Sequence, residues 1–424
     1  MSLLSTRSRS LPVDNLPPVT PRWESGLIAF LGASLTVVVV VEARGLGRVL
    51  AVLAGLLITA GALNLWSRAG KTGRWVVLGL ATLGLSVGIG IGLRALSIGV
   101  IDLSSTAATF ALLSGGSLIW LAIARLVSPA RRGWGIVSSA GLIFLVALTS
   151  WTITPALIAT NVPPIEPGDA TPADYGFDAV GVDFESTDGV SLWAWYATPP
   201  EGKVAIVRHG AGSTATDVLA QAAVLVSNGY GVLITDARGH GRSGGEAMDF
   251  GWFGDLDVAA AVDFLLTRPE VDSTRIVVLG LSMGGEEAIG AAGHDPRIAA
   301  VVAEGATARA DADKVWLTDE YGWRGWIQTR LEWVQYTVTD LLTEASKPMS
   351  LTSAAAAMAP RELLLITAGD APDETHAARQ IAASGAENVE VWTVDGAAHI
   401  GGLGVAPEEW ERTVIQFMDD ALSD

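Results

Sequence analysis

Five apolar runs, roughly Gly26 to Val41, Val49 to Trp66, Trp75 to Leu93, Thr106 to Leu126 and Trp134 to Leu157, dominate the start of the chain. Each is near the ~20 residues that carry a helix across a hydrocarbon core. In that medium the backbone has no water to bond, so runs of this kind are confined to helices. The expectation is an all-α transmembrane bundle of about five helices over residues 26–160. Residues 1–25 carry Arg7, Arg9 and Arg22 among Pro and Ser, without a small-residue cleavage site after a short apolar core. They read as a cytoplasmic N-terminal segment and not as a cleaved signal peptide. The first run is the shortest, so a re-entrant first segment followed by four spans is the competing count.

Charge divides the chain in two. Residues 1–160 hold 12 Lys and Arg against 4 Asp and Glu, and the remainder holds 15 against 41. With five spans, the N-terminus and the loops Arg68 to Arg74 and Arg125 to Arg132 place nine basic residues on one side of the membrane, while Arg44, Arg48 and Arg94 fall on the other. The basic side is expected to be cytoplasmic, which puts everything after the fifth run outside the cytoplasmic membrane. Ionisable residues are nearly absent inside the runs, which argues for an anchor or scaffold over a transporter or proton relay. The acidity of the rest disfavours nucleic acid as a partner. The chain has no cysteine; disulfides and thiolate chemistry are excluded, and either compartment fits.

Pro163, Pro164, Pro167 and Pro172 make residues 161–175 a stiff spacer. Residues 176–424 are enough for one large core. Val180 to Phe184 and Ser191 to Ala197 alternate around Asp188-Gly189, a hairpin signal. Beyond it, strand-like runs at Lys203 to Val207, Gly231 to Thr235, Ile276 to Leu279, Ile298 to Ala303, Glu362 to Thr367 and Val389 to Val394 alternate with helical stretches. That alternation predicts an α/β fold, a mostly parallel sheet with helices on both faces, entered through the antiparallel hairpin.

Gly-x-Ser-x-Gly is weak evidence in a chain with 48 glycines, and it occurs three times. Gly84 to Gly88 lies in an apolar run and Gly241 to Gly245 in a polar loop. Gly280 to Gly284 alone follows a buried β-branched strand and opens a helix, the setting of a nucleophile elbow with Ser282 as nucleophile. A reactive serine needs a base, a group that orients the base, and donors for the oxyanion. His399 lies in a glycine-rich loop after the last strand and suits the base. His209 and His240 read as loop-structuring residues, and His294 and His376 as surface. Ala368-Gly369-Asp370-Ala371-Pro372-Asp373-Glu374 offers three carboxylates after one strand.

With these motifs in view, residues 176–424 resemble the α/β-hydrolase fold family. His209-Gly210-Ala211-Gly212 looks like its oxyanion loop and Asp236-Ala237-Arg238-Gly239-His240-Gly241-Arg242-Ser243 like the loop after its next strand. The resemblance implies the order nucleophile, acid, histidine: Ser282, then an acid near 370, then His399. The family's usual spacing beyond the glycine favours Asp373 as the acid over Asp370. The resemblance further implies backbone donors from Ala211 and Met283 as the oxyanion hole. Residues 306–360, with Trp316, Trp323, Trp326 and Trp333, occupy the place of a lid-like insertion.

The expected function is a membrane-anchored serine hydrolase cleaving an ester, thioester or amide through an acyl-enzyme, with a small-molecule or lipid-like acyl substrate. No metal or organic cofactor is implied, because the histidines lack zinc-ligand spacing and the glycine loops lack a dinucleotide fingerprint. An acyltransferase to a cell-envelope acceptor would use the same residues. A hydrolase-like domain that only binds a ligand or partner is the non-enzymatic alternative.

Overall fold

A computed structural model describes residues 22–42, 46–67, 71–97, 101–126, 132–162, 164–245, 249–383 and 388–423. The basic residues Arg7, Arg9, Arg44, Arg68 and Arg131, and Pro163 of the spacer, lie outside them. The chain divides into two compact units, Met1–Thr154 and Pro155–Asp424.

The first unit is helical: α1 (Arg22–Glu42), α2 (Leu46–Ser67), α3 (Lys71–Val87) continued by a π-helical turn (Gly88–Leu93) and α4 (Arg94–Ser97), α5 (Leu103–Leu126) and α6 (Arg132–Ala159). Among the described residues five helices are long and apolar enough to cross a membrane. The short first run belongs to a helix of 21 residues, so it too reaches spanning length. Glycines let α3 and α5 approach to backbone contact. A Cβ on Gly84 would lie 2.9 Å from the Ala111 carbonyl oxygen, and one on Gly115 would lie 2.5 Å from that of Ala81. Small residues at such seams replace the hydrophobic drive that is missing inside lipid.

The second unit is built on an eight-stranded sheet in the order β1-β2-β4-β3-β5-β6-β7-β8. Its strands are β1 (Val180–Glu185), β2 (Ser191–Ala197), β3 (Val204–Arg208), β4 (Gly231–Thr235), β5 (Ile276–Leu281), β6 (Ala300–Glu304), β7 (Glu362–Ala368) and β8 (Val389–Val394). The hairpin β1–β2 is antiparallel and joins β4 antiparallel; every pairing from β4 through β3 to β8 is parallel. β3, β4, β5 and β6 are buried along their whole length, as their unbroken apolar sequences require of strands covered on both faces. The connecting helices are α7 (Leu219–Ser227), α8 (Gly254–Leu266), α9 (Met283–His294), α10 (Trp316–Tyr321), α11 (Trp323–Leu342), α12 (Leu351–Met358), α13 (Pro372–Ala382), α14 (Gly402–Val405) and α15 (Pro407–Ala421). One core joins α8, α9 and α12 to the sheet, and a second joins α7 and α15 to its other face. This is the α/β-hydrolase architecture.

Two details differ from the expectation. The Pro-rich segment is pinned to the sheet unit, since Ile165 donates its N–H to Gly239 O at 3.2 Å and accepts at its carbonyl from Gly241 N–H at 2.7 Å. The insertion is also narrower than 306–360 as a separate element. Leu351, Ala354, Ala355 and Met358 of α12 are buried in the main core, leaving α10 and α11 as the inserted pair.

Candidate active site

The strand-to-helix turn between β5 and α9 forces Ser282 to φ 54° and ψ −121°, a region L-residues avoid. The turn is held by the Ser282 N–H donating to Glu304 O at 2.7 Å, and by the Gly285 and Glu286 N–H groups reaching back to Ser282 O at 2.9 and 3.1 Å. Gly284 is required by space: a Cβ there would lie 2.6 Å from the His209 carbonyl oxygen. The other two serines of the repeated pattern are engaged elsewhere. Ser86 Oγ bonds Thr82 O and Ser150 Oγ within the helical unit, and Ser243 Oγ donates to Asp236 O at 2.7 Å while accepting from Trp193 N–H.

His399 stands 117 residues away in sequence and against Ser282 in space. Its Nε2 is 2.9 Å from Ser282 Oγ, and its Nδ1 is 2.6 Å from Glu374 Oε1. The carboxylate at the histidine is thus Glu374, and the expectation of Asp373 is corrected. Asp373 Oδ1 instead accepts from Tyr321 Oη–H at 2.8 Å on the surface. Asp370 is exposed and contributes its backbone N–H to Ala397 O at 3.0 Å. The reason is the helix start. Pro372 occupies the first position of α13, which makes Glu374 its third residue, and there the side chain turns back toward the strand end. Glu374 is buried, and its Oε2 accepts from Ala368 N–H at 2.8 Å, which locks the orientation of Oε1. The short bond to Glu374 raises the His399 pKa above the ordinary imidazole value, against the opposing effect of partial burial.

The two backbone donors expected for the oxyanion lie on either side of the serine. Met283 opens α9, and Ala211 follows Gly210, whose α-carbon approaches Ser282 so closely that a Cβ would sit 3.1 Å from Ser282 Cβ. Among the described residues neither the Met283 nor the Ala211 N–H has a hydrogen-bond partner. The loop carrying Ala211 is clamped by two histidines in the neutral state. His209 donates from Nδ1 to Gly210 O at 2.8 Å and accepts at Nε2 from Ala237 N–H at 2.9 Å. His240 donates from Nδ1 to Arg238 O at 2.9 Å and accepts at Nε2 from Gly212 N–H at 3.3 Å. Burial depresses both pKa values, as the accepting nitrogens demand. Beneath the loop, Arg208 at the end of β3 pairs with the buried Glu287 of α9 and donates from Nη1 to Thr235 Oγ1 at 2.8 Å.

Two further carboxylates shape the site and were not singled out from the sequence. Glu304 at the end of β6 accepts from Gly402 N–H at 2.8 Å and Trp410 Nε1–H at 2.9 Å, fixing the segment just after His399. Glu286 accepts from the Thr307 and Ala308 N–H groups at 3.0 and 2.9 Å, anchoring the root of the insertion. Each is an acid at a strand end or in the first turn after the elbow, a signal too common to isolate without the fold. Beside Met283 runs the Asp249 to Gly254 segment, where a Cβ on Gly251 would lie 2.9 Å from Met283 Cγ. Its Phe250 and Trp252 meet Tyr336 of α11, at ring-centroid distances of 5.6 and 6.4 Å. Those three rings link the insertion to the neighbourhood of Ser282.

Comparison with known proteins agrees with this architecture. Residues 198–361 match the family described as serine aminopeptidase, S33. An uncharacterized protein YfhR of Salmonella typhi is 28% identical over 166 residues, covering 38% of this chain and 55% of that protein. The α/β-hydrolase domain-containing protein WAV2 of Arabidopsis thaliana is 30% identical over 172 residues, covering 39% and 53%. The chain therefore spans about half the length of the curated relatives it matches. Among solved structures, an esterase of Pyrococcus furiosus covers 61% of this chain and 97% of its own, at 25% identity and a TM-score of 0.49. By its sheet order and its strand-to-helix turn, with the sequence match over residues 198–361, the second unit has the α/β-hydrolase fold.

Proposed function

We propose that this protein is a membrane-anchored serine hydrolase that cleaves an ester, thioester or amide through an acyl-enzyme, with Ser282 as nucleophile, His399 as general base and Glu374 as the acid that orients it. The observation that carries the reading is the aligned pair of bonds, 2.9 Å from Ser282 Oγ to His399 Nε2 and 2.6 Å from His399 Nδ1 to Glu374 Oε1. Glu374 accepts a hydrogen bond from His399 Nδ1–H, so Nε2 carries its lone pair toward Ser282. As Oγ attacks the carbonyl carbon, its proton passes to Nε2, and the imidazolium is stabilised by Glu374, which stays ionised. The carbonyl oxygen becomes an alkoxide between the Met283 and Ala211 N–H groups; removal of one such donor costs about 3–4 kcal/mol of barrier. His399 then returns the proton to the leaving alcohol, thiol or amine. Water, activated by the same nitrogen, releases the acid.

Transfer to an acceptor other than water shares the same steps up to the acyl-enzyme. That second reading is supported by a relative named polyketide transferase, from Stachybotrys chlorohalonatus, which is 33% identical over 131 residues. Covalent labelling by a fluorophosphonate probe tests the acyl-enzyme chemistry itself. The full chain should be labelled, Ser282→Ala should not, and Ser86→Ala and Ser243→Ala should be labelled as the parent is. Labelling that persists in Ser282→Ala would overturn the assignment.

A further inference from the structure

Helix α11 is amphipathic in the reverse sense for a surface helix. Its inward residues are Gly325, Tyr336 and Thr339, and all three are buried. Its outward stripe, at the i, i+3, i+4 spacing of one helix face, carries Trp323, Trp326, Ile327, Trp333 and Leu341, exposed at 70, 52, 41, 51 and 79%. Ordinary surface helices put the apolar stripe inward. Contiguous apolar exposure of this kind marks a surface built to be covered.

The chemistry of the stripe selects what covers it. Three of its five large side chains are Trp, whose ring is apolar and whose N–H seeks water or a headgroup, the composition found at the boundary of a bilayer. The only ionised residue within the stripe is Arg330, whose guanidinium lies 5.5 Å from the Trp326 ring centre; Arg324, at its border, lies 5.7 Å from that of Trp323. Of the acids of the same helix, Glu332 lies on the opposite face and Asp340, seven residues after Trp333, lies at the edge of the stripe. This is conspicuous in a chain whose residues beyond 160 hold 41 Asp and Glu against 15 Lys and Arg. A Trp-rich face with Arg330 inside it, on so acidic a unit, is complementary to phosphate headgroups above an acyl layer. The chain supplies the proximity as well, since among its described residues are five helices long and apolar enough to cross a membrane.

We infer that the outer face of α11 docks on the lipid bilayer that holds the chain, with the Trp rings at the headgroup level and Arg324 and Arg330 on lipid phosphates. The inner face meanwhile keeps Tyr336 on Phe250 and Trp252 beside the nucleophile turn. The docking surface rests on the membrane reading and not on the acyl-enzyme chemistry, so its test uses no turnover. Because the chain has no cysteine, a single introduced thiol is the only one. The full chain is placed in lipid nanodiscs as Trp326→Cys, as Thr337→Cys, or as Glu409→Cys on α15, each labelled with an environment-sensitive NBD group. Relative to discs without spin label, spin-labelled phospholipid should quench most of the emission from the two α11 probes and leave that of the α15 probe unchanged. Adding Trp323→Glu and Trp333→Glu to the Thr337→Cys chain should abolish the quenching. Equal fractional quenching of α11 and α15 probes would overturn the inference, as would quenching of the α11 probes only in discs that hold two copies of the chain.

Discussion

Replacing Glu374 by Gln keeps the shape of the side chain and removes its charge, and the bonds around it determine the effect. Both carboxylate oxygens face donors: Oε1 accepts from His399 Nδ1–H and Oε2 from Ala368 N–H. An amide has one acceptor oxygen for the two. If that oxygen stays on the buried Ala368 N–H, the amide NH2 faces His399 Nδ1, which must then accept, so the ring carries its proton on Nε2 and offers Ser282 a donor in place of a base. If the amide is reversed, two N–H groups meet at Ala368, an uncompensated burial costing about 1–3 kcal/mol. The first arrangement is favoured, and it is the wrong tautomer for proton abstraction. Such a change in a serine triad lowers kcat by about 10⁴-fold, which is about 5.5 kcal/mol at 1.36 kcal/mol per decade. We expect a loss of about 10³- to 10⁴-fold in Glu374→Gln, read as burst and steady-state hydrolysis of an activated ester by the full chain in detergent or nanodiscs. The residual activity should also shift in pH. Glu374 is what raises the His399 pKa, so without its charge the acidic limb of kcat/KM moves to lower pH. Asp373→Asn and Asp370→Asn, which leave the His399 bonds intact, should stay close to the parent. Full activity in Glu374→Gln, or a comparable loss in Asp373→Asn, would refute the assignment of the acid.

Two other perturbations have expected outcomes. His209 and His240 are held neutral by burial below the unfolded value of about 6.5, so the unfolded chain takes up protons first as pH falls. Stability should be intact above that value and decline below it, each histidine adding at most about 1.4 kcal/mol per pH unit; His240→Gln should flatten the slope of Tm against pH, and an unchanged slope would count against this role. The excess of basic residues at the N-terminus and in alternate loops leads us to place the sheet unit on the extracytoplasmic side. Alkaline phosphatase fused after Asp424 should be active and green fluorescent protein dark, and the opposite pair of results would place the unit in the cytoplasm.

The sheet was legible because its strands are apolar runs bounded by Gly, Pro and Asp, and a run such as Ile276 to Leu279 has few other ways to be buried. Ser282 and His399 were legible through context, one in a turn between a strand and a helix, the other in a glycine loop after the last strand. The carboxylate beside His399 was misread because counting along a loop assumes an extended chain. Pro372 starts a helix there, and three residues of helix turn a side chain through most of a circle, so Glu374 reaches the histidine while Asp373 points to Tyr321. The charge networks of Arg208, Glu287, Glu304 and Glu286 depend on pairings across 21 to 106 positions, and no local pattern announces such partners.

The backbone at Ser282 has a consequence for the evolution of the chain. A serine at φ 54° and ψ −121° sits where only glycine is comfortable, and such a residue costs on the order of 1–3 kcal/mol. Ser282→Gly should therefore melt at a higher temperature than the parent while losing all reactivity toward the probe. If so, drift toward a more durable fold runs directly through loss of the nucleophile, and retention of serine at this turn in descendants of the chain would report selection for chemistry and not for folding.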